Sequence, residues 1–149
     1  MANITAAAVN ELRKRTGVGM MDCKKALVEC DGDMDKAIDY LREKGQKLAA
    51  KRADRDASEG AVLATVNADK TFAAVIMMNC ETDFVAKNED FVAFTREVLQ
   101  TAVDAKAKSL EEVMALTING LSVETMIVEQ VAKIGEKIEF KLNYNTETQ

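Results

Sequence analysis

Gly60-Ala61-Val62-Leu63-Ala64-Thr65-Val66-Asn67-Ala68-Asp69-Lys70-Thr71-Phe72-Ala73-Ala74-Val75-Ile76-Met77-Met78 is the stretch at which the hydrophobic period of this chain changes from helical to extended. Val62, Ala64 and Val66 alternate with Leu63 and Thr65, Asn67 to Lys70 carry turn chemistry, and Phe72 to Met78 form an unbroken apolar run. Alternation marks a strand with two unlike faces, whereas a short continuous run marks one covered on both. The stretch therefore predicts a β-hairpin whose second strand is well buried and central.

Upstream, the pattern is helical throughout. Ala8, Val9 and Leu12 recur at helical spacing behind Thr5, a capping residue type, with Gly17 just past the end. Met20, Cys23, Ala26, Leu27 and Cys30 make a second stripe, and Asp31-Gly32-Asp33 interrupts it. Asp33 can cap a third helix with Met34, Ala37, Ile38 and Leu41 inward and Gly45 as its left-handed terminal residue. Residues 46–58 are rich in Ala and charge, with Leu48 the only large apolar side chain, and read as a charged linker that can itself be helical.

Downstream, Asn88 caps a long helix with Glu89 and Asp90 in its first turn and Phe91, Phe94, Val98 and Ala102 inward. Ser109 caps a short helix from Leu110 to Leu116. Ser122 with Thr125 starts another through Val128, Val131 and Ala132 to Gly135. Ile138, Phe140 and Leu142 alternate with Glu139, Lys141 and Asn143, giving a third strand with one wet face. The fold class that follows is α+β, with an N-terminal three-helix bundle and a three-stranded antiparallel sheet packed with helices. The expected organisation is a bundle at 1–45, the linker at 46–58, an α+β unit at 59–144 and a polar, frayed tail at 145–149.

Composition excludes several classes of function. A chain of 149 residues, 48% apolar and 30% charged, suits one ordinary domain or two small ones. With no His there is no Ser-His or Cys-His pair and no imidazole metal ligand, so a catalyst would have to rely on carboxylates or Lys. Cys23, Cys30 and Cys80 are odd in number and form no CxxC, which argues for reduced thiols rather than a disulfide framework or zinc site. Twenty Lys+Arg against 25 Asp+Glu give a net charge of −5. Lys47, Lys51, Arg52 and Arg55 have no aromatic residues between them and read as a solvated helical face, with no direct nucleic-acid contact expected. The longest apolar run is far short of the ~20 residues of a membrane span. Met1-Ala2-Asn3-Ile4 lacks a basic segment leading into an apolar one, so the expected location is the cytoplasm.

Two stretches are over-specified for packing. In Arg15 to Leu27 two glycines bracket a turn and Met20 and Met21 follow as neighbours. Adjacent helical residues point about 100° apart, so both cannot sit centrally on one face. Spacing alone favours partly buried gap-fillers, against adaptable thioethers that contact a partner. In Asn79 to Asn88, Asp83 and Phe84 join the buried strand to the long helix. Phe84 lies seven residues before Phe91, and periodicity favours a core position for it with Asp83 as a cap or turn residue, against a partner contact on a loop.

Thr16-Gly17-Val18-Gly19-Met20-Met21-Asp22-Cys23-Lys24-Lys25-Ala26-Leu27, Thr82-Asp83-Phe84-Val85-Ala86-Lys87-Asn88 and Val131-Ala132-Lys133-Ile134-Gly135-Glu136-Lys137-Ile138 together resemble the bacterial elongation factor Ts family, in order and separation, over residues 1 to about 140. The resemblance implies a ubiquitin-associated-like three-helix domain, a core subdomain, and release of GDP from elongation factor Tu with no catalytic group and no cofactor or metal of its own, the action being on the partner's Mg-GDP. It implies that Asp83 and Phe84 wedge near the partner's magnesium site, against the core placement that periodicity favours. It further implies that Arg13, Met20 and Met21 contact the GTPase domain and that Ile134 and Gly135 pack beside the wedge. Family members continue into a second core subdomain and usually a helical arm, whereas this sequence stops at Gln149, which makes it look like the N-terminal half, either truncated or a short form. Two other readings compete: a non-catalytic module docking through the three-helix bundle, and a small enzyme using Cys80 as nucleophile and Asp83 as base.

Overall fold

A computed structural model describes residues 3–148, apart from the Tyr144 side chain; Met1 and Ala2 of the N-terminal stretch read above, and Gln149 at the end of the expected tail, lie outside the described residues. The chain is mixed helix and antiparallel sheet and divides into two compact units, Met1–Ala53 with Val128–Gly135, and Asp54–Ile127 with Glu136–Gln149.

In the first unit, α1 (Ala6–Thr16), α2 (Met20–Glu29) and α3 (Met34–Lys51) enclose a core of Val9, Leu12, Val18, Cys23, Ala26, Leu27, Ala37 and Leu41. The Thr5 hydroxyl accepts from the Ala8 N–H at 3.1 Å and an Asp33 carboxylate oxygen from the Lys36 N–H at 3.0 Å, so both predicted caps are formed. Burying a Leu of this kind contributes roughly 1.5–3 kcal/mol, so Leu12, Leu27 and Leu41 dominate the core.

The third helix does not end at Gly45. It runs to Lys51, because Gln46 to Lys51 are good helix formers, and it absorbs half of the expected linker. Gly45 is buried within it, and a Cβ there would lie 3.1 Å from the Ala132 side chain. Its role is close approach to α7 (Val123–Ile134), whose second half belongs to the same unit. Arg42 Nε donates to Glu129 at 3.0 Å across that contact. The basic face is also not uniformly solvated: Arg52 is half-buried and its Nε is fully enclosed, while Lys47 pairs with Glu43 at the surface.

In the second unit, β1 (Glu59–Val66), β2 (Phe72–Cys80) and β5 (Glu139–Glu147) form an antiparallel sheet in the order β1-β2-β5. The apolar run is thus the central strand. Glu59 faces Cys80 and Val66 faces Ala73 across the hairpin. On the other side Val75 faces Tyr144 and Ile76 faces Leu142, leaving Asn143 as the extra residue of a bulge. In the connecting turn the buried Asn67 side-chain oxygen accepts from the Thr71 and Phe72 N–H groups at 2.9 and 3.0 Å.

The helix α5 (Glu89–Asp104) packs on β1 and β2 and buries Phe91, Phe94, Thr95, Val98, Leu99, Ala102 and Val103. The opposite sheet face keeps Val62 and Val66 exposed. A short helix α6 (Leu110–Ala115), capped by Ser109, leads into a small hairpin of β3 (Thr117–Ile118) and β4 (Leu121–Ser122), which was not expected because two-residue strands carry no period.

The expected tail is largely strand. Phe72 faces Glu147 and Ala74 faces Asn145, and the Thr148 N–H donates to the Thr71 carbonyl at 2.8 Å. Lys108 and Lys106 lie 3.0 and 3.3 Å from the Glu147 carboxylate and hold its pKa below the usual value. Among the described residues no helix is long and apolar enough to cross a membrane.

Candidate functional site

The central strand ends at Cys80 and the chain turns through Glu81 and Thr82 into α4 (Asp83–Ala86), a single helical turn. Three groups fix this turn from different directions. The Thr82 hydroxyl accepts from the Val85 N–H at 3.4 Å, capping α4. The Glu136 carboxylate accepts from the Glu81 and Thr82 N–H groups, both at 3.0 Å on one oxygen, and from the Thr82 hydroxyl at 2.8 Å on the other. The Cys80 thiol donates to the Thr82 carbonyl at 3.2 Å. Arg55 closes the outer side, its guanidinium 3.4 Å from Glu81.

On this fixed turn Phe84 is 84% exposed. The core placement favoured by periodicity is wrong, because Lys87 and Asn88 separate α4 from α5 and the helical register between Phe84 and Phe91 is broken. Fully burying a Phe contributes roughly 1.5–3 kcal/mol, free energy that only an external surface can supply here. Asp83 beside it is exposed, paired with Lys87 at 3.5 Å.

A second exposed group lies on the first unit. Met20 and Met21 are 50% and 67% exposed in the first turn of α2, so the gap-filler reading fails for both. Arg13 is exposed in the last turn of α1. No side chain caps α2, whose N-cap is Gly19. Val28, on the same helix and outside the two motif-like stretches, is 55% exposed as well. Ile134 and Gly135 are half-buried, and Gly135, at φ +82°, takes the left-handed conformation that ends α7. Asp83 and Phe84 therefore belong to one unit, and Arg13, Met20, Met21, Ile134 and Gly135 to the other.

Glu136 and the Cys80 thiol were not foreseen as supports of the turn. A lone acid following a glycine carries no periodic signal, and its partners lie 54 and 55 residues away. The cysteines are free, and burial together with nearby Glu136 pushes the Cys80 thiol up to about 11. A buried thiol held protonated is a poor nucleophile, so the Cys80–Asp83 enzyme reading has no chemistry to stand on. Among the described residues no three His, Cys, Asp or Glu side chains are grouped to hold a metal ion.

Both exposed groups lie within stretches that match known families. The profile described as "Elongation factor Ts, mitochondrial, N-terminal" matches residues 1–49, and that described as "Elongation factor TS" matches residues 81–148. The chain belongs to the elongation factor Ts family. Curated relatives named Elongation factor Ts are 58% identical in Christiangramia forsetii, 56% in Flavobacterium johnsoniae and 55% in Rhodopirellula baltica, each over 93% of this chain. The match covers 50%, 43% and 42% of those proteins, so the chain spans about half the length of the elongation factor Ts relatives it matches.

Proposed function

We propose that this chain acts in translation elongation as a guanine-nucleotide exchange factor that promotes GDP release from elongation factor Tu. The observation that carries the proposal is Phe84, a large aromatic held almost fully exposed on a turn whose backbone is fixed on three sides. Family membership supplies the setting. In this reading Phe84 and Asp83 enter the partner beside its Mg²⁺ and β-phosphate, which are held by close electrostatic contacts sensitive to small displacements. The factor needs no acid, base or nucleophile of its own, because it acts by binding the nucleotide-free state better than the GDP-bound one. Linkage then requires that GDP weaken the factor's binding by the same ratio. The first three helices serve as a ubiquitin-associated-like docking domain, with Arg13, Met20 and Met21 on the partner's GTPase domain and Ile134 and Gly135 supporting the wedge. The setting is the cytoplasm, with no direct nucleic-acid or membrane contact.

A second reading, a docking module without exchange activity, is favoured by the exposure of Met20 and Met21 alone. Stopped-flow release of a fluorescent GDP analogue from elongation factor Tu, titrated with this chain and its Phe84→Ala variant, separates the two. Acceleration that vanishes in the variant supports exchange. Binding of both proteins without acceleration by either supports the docking module, and no binding by the folded chain removes both readings.

A further inference from the structure

The wedge turn is not stable on its own account. A single helical turn gains little against the entropy of fixing its residues, and α4 buries no side chain fully. Its geometry has to come from outside. Three of the hydrogen bonds at Glu81 and Thr82 converge on one carboxylate, that of Glu136, which lies far along the chain, just before β5. One oxygen takes two successive backbone N–H groups and the other takes the Thr82 hydroxyl, which in turn accepts from Val85. The hydroxyl thus donates once and accepts once, and its orientation is set by Glu136. Hydrogen bonds to an ionised acceptor are the strong ones, and an arrangement of successive N–H groups around one oxygen fixes backbone direction as well as position.

We propose that Glu136 is the positioning residue that holds the Thr82-Asp83-Phe84 turn in its projecting form, and that loss of its carboxylate uncouples Phe84 from exchange activity while leaving the exposed aromatic in place. The inference deepens the exchange-factor reading and rests on it for the activity, but its structural half stands without any partner. Cys80 and Arg55 assist at the Thr82 carbonyl and the Glu81 side chain, and neither reaches the N–H groups that Glu136 takes.

The test uses the full chain with Glu136→Ala, Glu136→Gln and Phe84→Ala. Amide hydrogen exchange read by NMR without partner comes first. Glu136→Ala is expected to speed exchange at Glu81 and Thr82 by about tenfold or more, with Ile76 and Val98 unchanged, and Glu136→Gln, which keeps an acceptor oxygen, to recover most of the protection. No change at Glu81 and Thr82, or an equal rise throughout the molecule, overturns the proposal. The second measurement is GDP release from elongation factor Tu. Glu136→Ala is expected to lower the maximal stimulated rate about tenfold with partial rescue by Glu136→Gln, and to add nothing in a Phe84→Ala background. An additive loss in the double variant overturns the positioning role. If the unaltered chain fails to stimulate release, the exchange-factor reading falls, and the amide measurement still decides the grip of Glu136 on the turn.

Discussion

The first turns of α2 and α4 both present apolar side chains to solvent, and they are built in opposite ways. Each has a buried cysteine beneath it donating to a backbone carbonyl, Cys23 to Val18 at 3.5 Å and Cys80 to Thr82 at 3.2 Å. At α4 that support is joined by a threonine cap and the Glu136 carboxylate, and the exposed residue is a stiff Phe. At α2 the N-cap is Gly19 with no side-chain bond, and the exposed residues are two flexible methionines. A rigid aromatic on a braced turn can transmit displacement to whatever it enters. Adaptable thioethers on an uncapped helix end give adhesion without direction. Under the proposed function the two exposed groups thus suit two different tasks, one acting on the rate of release and one on affinity.

Truncating the rigid side should produce the largest change. Phe84→Ala is expected to remove about 2 kcal/mol or more of interaction with the partner, roughly a thirtyfold loss in stimulated GDP release, with thermal stability unchanged because the side chain is not in the core. A parallel drop in melting temperature would return Phe84 to a structural role. Met20→Ala with Met21→Ala should cost about 1 kcal/mol in total and appear as a higher half-saturating concentration, with the maximal rate preserved. A fall in maximal rate alone would erase the distinction between the two turns.

The supporting thiol under α4 contributes less near neutrality and shows itself in alkali. Folding raises the Cys80 pKa from its ordinary 9.0 to about 11, so the folded state keeps the proton longer than the unfolded one. Stability from the neutral thiol is intact below pH 9 and is lost as pH rises from 9 towards 11. Cys80→Ser, whose hydroxyl does not titrate there, should make the melting temperature fall less steeply over that interval. Parallel slopes would show that Cys80 is not responsible. The smallest effect belongs to the uncapped end: Gly19, with φ −60° and open space where a Cβ would be, should accept Ser and gain a few tenths of a kcal/mol (~0.3) in chemical denaturation. A loss there would mean that the open end of α2 is already satisfied.

The elements legible in the sequence are those whose side chains repeat. The Phe72 to Met78 run gave the central strand, and Leu12, Leu27 and Leu41 gave the helical core. What escaped has no period. Gly45 has the residue type of a terminator and instead lies inside α3, where its missing side chain admits Ala132. Phe84 keeps a helical interval from Phe91 that a two-residue break makes meaningless. Residues 145–147 are polar yet ordered by backbone pairing to β2, which composition does not encode. For the site, family resemblance marks Met20, Met21, Asp83 and Phe84, whereas their exposure is a property of the folded chain that spacing does not encode. Glu136 lies within a motif but carries no sequence signal for its role, because its hydrogen bonds depend on where the chain returns.

The sharing of α7 between the two units has a consequence for the order in which the protein can be completed during synthesis. Val123–Ile127 belong to the second unit and Val128–Gly135 to the first, so the first helices emerge long before the helix that packs beside Gly45 exists. Until Ala132 arrives, the glycine leaves a notch in α3 open to water, and the second unit in turn waits for β5 to flank its central strand. Such interleaving adds contacts of long sequence separation, which slow folding. Neither half of the molecule can be finished before the other has begun, so a nascent chain released after Asp54 and before Gly135 would lack part of both units.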